Sequence, residues 1–180
     1  MHQLLLLRHA KSSWDDKTLA DRDRPLNPRG QRTAASMRGV LRELGLAPDL
    51  VLVSPARRTQ QTLEALEPWD EAPLIEPVDA LYLATAAQML SVLHAVPETV
   101  RSTMLIGHNP GLHDLAVLLL GPHGIADPAT RNRQATEHLA AGYPTGALAE
   151  FSVPGAWWQL REGGGQLVRF LRPRDLPDDA

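Results

Sequence analysis

Three groups of residues in this chain could carry chemistry, and each directly follows a short apolar run. Arg8 and His9 end the run 3–7, Arg57 and Arg58 stand just after Ser54, which closes the run 49–53, and Gly107, His108 and Asn109 follow the run 103–106. Arginine presents a rigid fork of donors that matches two phosphate oxygens and stays charged at any working pH. Imidazole can serve as nucleophile or proton donor near neutrality. Arginines and histidines delivered together in this way suit a phosphoryl group, with Asn109 and Lys11 as further candidates for contact with substrate. Plainer assignments compete: His9 as a core or metal-binding histidine, His108 as a turn residue, the arginines as solvated surface. A metal set of His108, His113 and Asp114 is conceivable, but its spacing matches no helical i, i+4 pair. His2, His94, His123 and His138 have no comparable context.

Arg57 and Arg58 separate by helical geometry. At about 100° per residue, Ala56, Thr59, Thr62, Leu63 and Leu66 define a buried side, and Arg58 falls nearer its edge than Arg57, which shares the polar side with Gln61 and Glu64. Arg58 is the inward candidate and Arg57 the secondary one.

The elements that must position these residues follow from the alternation of short apolar runs with segments of helical period. Runs at 3–7, 49–53, 74–78 and 103–106 alternate with helical patterns at 28–44, 55–67, 85–95 and 110–120, which predicts βα units feeding a largely parallel sheet. Runs without polar alternation suit strands covered on both faces, hence a three-layer α/β/α sandwich. Asn27-Pro28, Ser54-Pro55 and Asn109-Pro110 each read as an N-cap followed by a proline at the first helical position. Two of these starts directly follow a strand, which places them at the carboxyl edge of the sheet, where ligands bind and helix N-termini favour anions. Beyond residue 120 the pattern loosens; two further strands, possible antiparallel partners across Arg161 to Gly165, are expected at 147–153 and 166–171. Segments 11–27 and 121–146 are expected to project as loops, and 172–180 to fray.

The chain has 180 residues, a formal charge of −3, 43% hydrophobic and 22% charged residues, 13 glycines and 15 prolines. This fits one soluble domain, 1–180, large enough for a proper core. No basic run marks a nucleic-acid partner. The absence of cysteine excludes thiolate chemistry and disulfides and fits a reducing compartment. With no export signal or spanning run to read, the expected location is cytoplasmic, with no membrane partner.

The stretches "LLLLRHAKSSW", "LNPRGQRTA", "SPARRTQQT" and "MLIGHNPGL", in this order, resemble the histidine phosphatase (phosphoglycerate mutase-like) superfamily, and within it most nearly the small SixA-type phosphohistidine phosphatases. The resemblance implies a phosphoglycerate mutase-like fold, His9 as the nucleophile that becomes phosphorylated, and Arg8, Arg58 and His108 as holders of the phosphoryl oxygens. The family spacing of four residues from Ser54 also selects Arg58. Two features depart from the family pattern. Ala10 stands where the family has glycine. An acidic proton donor, used by the mutase and larger phosphatase branches, does not align; Glu76 and Asp79 are candidates, with a surface carboxylate the plainer reading of each. A missing donor tilts the substrate towards a phosphohistidine, whose imidazole leaves more readily than an alkoxide.

The expected activity is therefore a phosphatase that needs no metal or other cofactor and acts through a phosphohistidine intermediate on a protein phosphohistidine. Its competitors are a phosphomonoesterase of the same fold acting on a small phosphorylated metabolite, a non-catalytic module that reads phosphate, and a metal-dependent hydrolase. Lys11, Arg22 and Arg24 could add positive charge near the pocket, but among Asp15, Asp16, Asp21 and Asp23 the run reads as a solvated loop.

Overall fold

A computed structural model describes residues 1–126 and 132–177. Six strands, β1 (His2–Arg8), β2 (Leu50–Val53), β3 (Leu74–Pro77), β4 (Ser102–Gly107), β5 (Leu148–Val153) and β6 (Gln166–Leu171), form one sheet in the order β3-β2-β4-β1-β5-β6. The first four strands are mutually parallel and β5 and β6 join antiparallel. Five helices cover it: α1 (Pro28–Glu43), α2 (Arg57–Ala65), α3 (Ala86–His94), α4 (Gly111–Ala126) and α5 (Arg133–Ala141).

The unbroken leucines of β1 explain its central place. Leu4, Leu5, Leu6 and Leu7 are all essentially inaccessible, and successive side chains of a strand point to opposite faces. Leu5 and Leu7 pack with Met37 and Leu41 of α1 and Leu63 of α2; Leu4 and Leu6 pack with Met89 of α3, Leu115 of α4 and Leu139 of α5. Two separate cores, one on each face, make the three-layer α/β/α sandwich expected from the runs. Each leucine so buried contributes about 1.5–3 kcal/mol, so the exit of β1 is firmly held.

Four local expectations change. Helix α2 starts at Arg57 with Ala56 as its cap residue; the Ser54 hydroxyl stands two residues earlier, accepting from Ala56 N at 3.3 Å and bonding His108 at 2.7 Å. Of segment 121–146, expected to project as a loop, 121–126 belong to α4 and residues 127–131 lie outside the described residues. The same segment contains α5, which buries Thr136 and Leu139 although its first flanking residue, Asn132, is left-handed and offers no side-chain cap. Segment 11–27 is closed at its base, where Asn27 N donates to Lys11 O at 3.0 Å, Ser13 N to Pro25 O at 2.8 Å, and Ser12 bridges Leu26. Of the tail expected to fray, 173–175 form a helical turn in which Arg172 clasps Asp175; residues 178–180 lie outside the described residues.

Candidate active site

His9 leaves β1 at the carboxyl edge and is 6% exposed. Its Nδ1 lies 2.7 Å from the carbonyl oxygen of Ala10. A carbonyl can only accept, so Nδ1 carries the proton and the lone pair of the neutral ring is on Nε2. Burial is the main cause that lowers the His9 pKa to about 4; the bond to Ala10 opposes it, and the charges of Arg58, Arg8 and Arg24 add to it. The ring is therefore neutral and nucleophilic through the whole physiological range.

His108, at the end of β4, faces His9 with ring centroids 5.3 Å apart. Arg58 Nη2 donates to His108 Nδ1 at 3.3 Å, which leaves the proton on Nε2, directed to Ser54 Oγ at 2.7 Å. Burial first, then the Arg58 charge, holds the His108 pKa down at about 3. The Arg58 side chain is 3% exposed, while Arg57 is exposed; the helical-face reading of this pair stands. Thr62 locks the geometry from α2, accepting from Ala10 N at 3.0 Å and donating to Arg58 O at 2.7 Å.

Arg58 has a partner that the sequence concealed. Its Nη1 donates to Asp21 O at 2.7 Å and its Nη2 to Asp21 Oδ2 at 3.0 Å, and Tyr82 OH donates to the same Oδ2 at 2.5 Å. Burial pushes the Asp21 pKa upward, but the bonds from Tyr82 and Arg58 and the Arg58 charge outweigh it and hold the carboxyl at about 2. Asp21 is thus a permanent anion that orients Arg58 and cannot donate a proton near neutrality. Tyr82 packs edge-on to His108 at 5.6 Å between centroids. Arg24 is also drawn in from the mixed-charge run: it is 7% exposed and donates to Ser12 Oγ, Ser13 O and Asp21 Oδ1. The reading of 11–27 as a solvated loop is corrected for Asp21 and Arg24. The long separations, 37 residues from Asp21 to Arg58 and 61 to Tyr82, leave no local signal.

Arg8 donates through Nη1 to Tyr143 O at 3.0 Å, and Asn109 Nδ2 donates to that same oxygen at 2.9 Å. Asn109 Oδ1 accepts from His113 N at 3.2 Å, so both ends of this amide serve to fix α4 against the loop of Tyr143. Asn109, expected to touch substrate, thus stands beside Arg8 with its amide held by the chain itself. Burial and the neighbouring Arg58 charge lower the Arg8 pKa, the electrostatic mark of two guanidiniums converging. The Nε atoms of Arg8 and Arg58 are both buried without a hydrogen-bond partner in the described structure. Unsatisfied buried donors on two cationic forks beside a nucleophilic ring are what an anion would complete.

The other candidates fall elsewhere. Glu76 lies on the exposed edge strand β3. Asp79 is solvent-exposed, with its ion pair made to Arg22 at 3.9 Å. His113 Nε2 bonds Leu139 O at 2.7 Å, and no group of three or more His, Asp or Glu side chains gathers at metal-ligand spacing among the described residues. Ala10 is fully buried against Leu26 and Ala34 and is not among the residues with positive φ, so its methyl group is accommodated without strain. Lys11 is exposed two residues beyond His9.

Residues 4–77 match the model of the histidine phosphatase superfamily, branch 1. An uncharacterized protein of Mycobacterium tuberculosis (strain H37Rv) is 35% identical over 168 residues, covering 93% of this chain and 100% of the relative. Among solved structures, a provisionally named phosphohistidine phosphatase SixA from Nakamurella multipartitia superposes with a TM-score of 0.81 at 30% identity over 96% of each chain. A second such protein, from Agrobacterium tumefaciens, gives 0.78 at 30% identity over 96% of this chain and 98% of its own.

Proposed function

Because the chain belongs to the histidine phosphatase superfamily, branch 1, we propose that it is a phosphatase whose His9 Nε2 takes the phosphoryl group, and that its substrate is a phosphohistidine on a protein. The observation that carries this reading is the tautomer of His9: Nδ1–H is anchored on Ala10 O, the lone pair is on Nε2, and the charges of buried Arg58 and half-buried Arg8, each with a buried, unpaired Nε–H, act on the ring.

In this reading the substrate dianion sits between Arg8 and Arg58, whose unpaired donors take its oxygens. Nε2 attacks phosphorus in line; the His9 Nε2–P bond forms as the substrate N–P bond breaks. The leaving imidazole, protonated on its other nitrogen, departs neutral and needs no proton from the enzyme. The arriving negative charge favours uptake of a proton from solvent on His108 Nδ1, which gives up its bond from Arg58 Nη2, so that both groups are freed to donate to the phosphoryl oxygens. Water next attacks phosphorus, the Nε2–P bond breaks, and inorganic phosphate leaves with His9 restored. Asp21, ionised at working pH, cannot supply the proton that an alkoxide leaving group requires, and this favours phosphohistidine over phosphate monoesters. The mechanism calls for no metal, and the cysteine-free chain fits action in a reducing cytoplasm.

Two measurements test this reading together. kcat/KM on a phosphohistidine peptide should exceed that on sugar phosphates and nucleotides by at least about a hundredfold, and EDTA should leave turnover unchanged. Preference for a phosphate monoester, or loss of turnover on chelation, would refute it.

A further inference from the structure

Beside the catalytic strand lies a cavity of about 500 Å³ whose lining includes Lys11, Arg29, His138, Arg172 and Arg174 and no acidic side chain. In a chain of net charge −3 this concentration of positive charge is local and one-sided. Asp175 offsets Arg172, with Nε to Oδ2 at 2.9 Å. Lys11, Arg29 and Arg174 have no ion-pair partner among the described residues.

The fold fixes where this cavity lies. Leu7 of β1 pairs with Leu148 of β5, and Leu148 with Leu171 of β6. Residues 172–174 therefore emerge at the same edge of the sheet as His9, two strand spacings away, or about 10 Å. Gly146 joins the two sites: its N–H donates to Arg8 O at 3.1 Å and His9 O at 2.9 Å. A Cβ there would lie 2.8 Å from Thr33 Cγ2 and 3.4 Å from Pro173 Cγ, which belong to cavity-lining residues. Gly146 thus stands between the cavity-lining residues Thr33 and Pro173 and the backbone of His9.

Resting on the phosphohistidine reading for its substrate, we infer that this cavity is a second recognition site, which receives acidic side chains flanking the phosphohistidine of a protein substrate. Lys11, Arg29 and Arg174 are exposed and come from three different elements. Such cations fit several carboxylates spread along a peptide; a compact anion calls for a convergent pair of forks like that of Arg8 and Arg58. Exposed charges of one sign also speed encounter with an acidic surface and do so in a salt-dependent manner.

The test uses the whole protein and an Arg29→Ala/Arg174→Ala double variant, neither residue touching the catalytic cluster. Labelled peptides with a central histidine flanked by glutamates or by glutamines are titrated without phosphate and then, chemically phosphorylated on the histidine, used as substrates. The glutamate peptide should bind the wild type about tenfold more tightly than the glutamine peptide. The double variant should lose that difference and keep the wild-type rate on p-nitrophenyl phosphate. The kcat/KM preference for the phosphorylated glutamate peptide should disappear with it and shrink at high salt. Equal binding of the two peptides, or a double variant that binds the glutamate peptide like wild type, overturns the inference even if both phosphopeptides are hydrolysed. Tripolyphosphate bound through Arg29 and Arg174 without any binding of the glutamate peptide overturns it in favour of a small polyanion. If the glutamate peptide binds through these arginines but neither phosphopeptide is hydrolysed, the acidic-peptide site stands and the phosphohistidine reading fails.

Discussion

At the scale of single residues, the site depends on a neutral imidazole kept beside cations. Nitrogen-15 NMR of His9 at pH 6 should show the neutral Nδ1–H tautomer, since its pKa is lowered to about 4; an imidazolium or an Nε2–H tautomer would contradict the assignment of the lone pair. Arg58→Ala should lower kcat/KM by about 10²–10³, the usual loss when one charge-stabilising donor is removed. Asp21→Ala leaves that donor in place but unties it. Steady-state kinetics should then show a loss of about tenfold in kcat/KM, near 1.4 kcal/mol, and a wild-type value would mean that Arg58 is positioned without Asp21. Ala10→Gly tests the departure from the family pattern in the other direction. Ala10 is fully buried with ordinary φ, so activity should persist, while a melting curve should show a loss of about 1 kcal/mol for the missing methyl and the looser unfolded chain.

At the scale of elements, a close backbone contact holds the start of α1 against the segment that follows the catalytic strand. A Cβ on Gly30 of α1 would stand 2.1 Å from Lys11 O. Gly30→Ala should therefore push α1 away from the segment just after His9, lowering the Tm by about 5 °C or more; an unchanged Tm would show that the contact relaxes freely. This scale also shows what was legible in the sequence. The strand ends carrying Arg8, His9 and His108 were readable because uninterrupted apolar runs announce covered strands, and Arg58 because helical period separates it from Arg57. Helix α5 was not, since its entry residue Asn132 has a left-handed backbone and no capping bond, the signals from which a helix start is read. Asp21 and Tyr82 were not legible either. They reach Arg58 only through the folded chain, and a carboxylate in a mixed-charge run looks the same whether it is solvated or pinned to a guanidinium. Ser54 was read as a helix cap because serine before proline satisfies that pattern; its bond to His108 spans two strands and has no sequence period.

At the scale of the whole molecule, two buried histidines with lowered pKa values link the site to stability. Their folded pKa values, about 4 for His9 and about 3 for His108, lie below the ordinary value near 6.5, so between these limits the unfolded chain binds more protons than the folded one. Stability should therefore be full above about pH 6.5 and fall as the pH drops through 6.5 towards 4, by on the order of 3 kcal/mol from His9 alone. Denaturant unfolding at pH 7 and pH 4.5 checks the sign; a His9→Ala variant with the same pH slope as wild type would contradict it. The sheet brings three strand ends to one edge, each set by its own buried run, and the chemistry is the sum of what those ends deliver. The central claim is that His9 itself carries the phosphoryl group. Rapid quench with a phosphohistidine peptide carrying labelled phosphate, followed by mapping of the label, tests it most directly. An acid-labile, base-stable label on His9 that forms before phosphate is released, and is absent from His9→Ala, is the predicted result. Phosphate release with no labelled enzyme, label on another residue, or full activity in His9→Ala would contradict it.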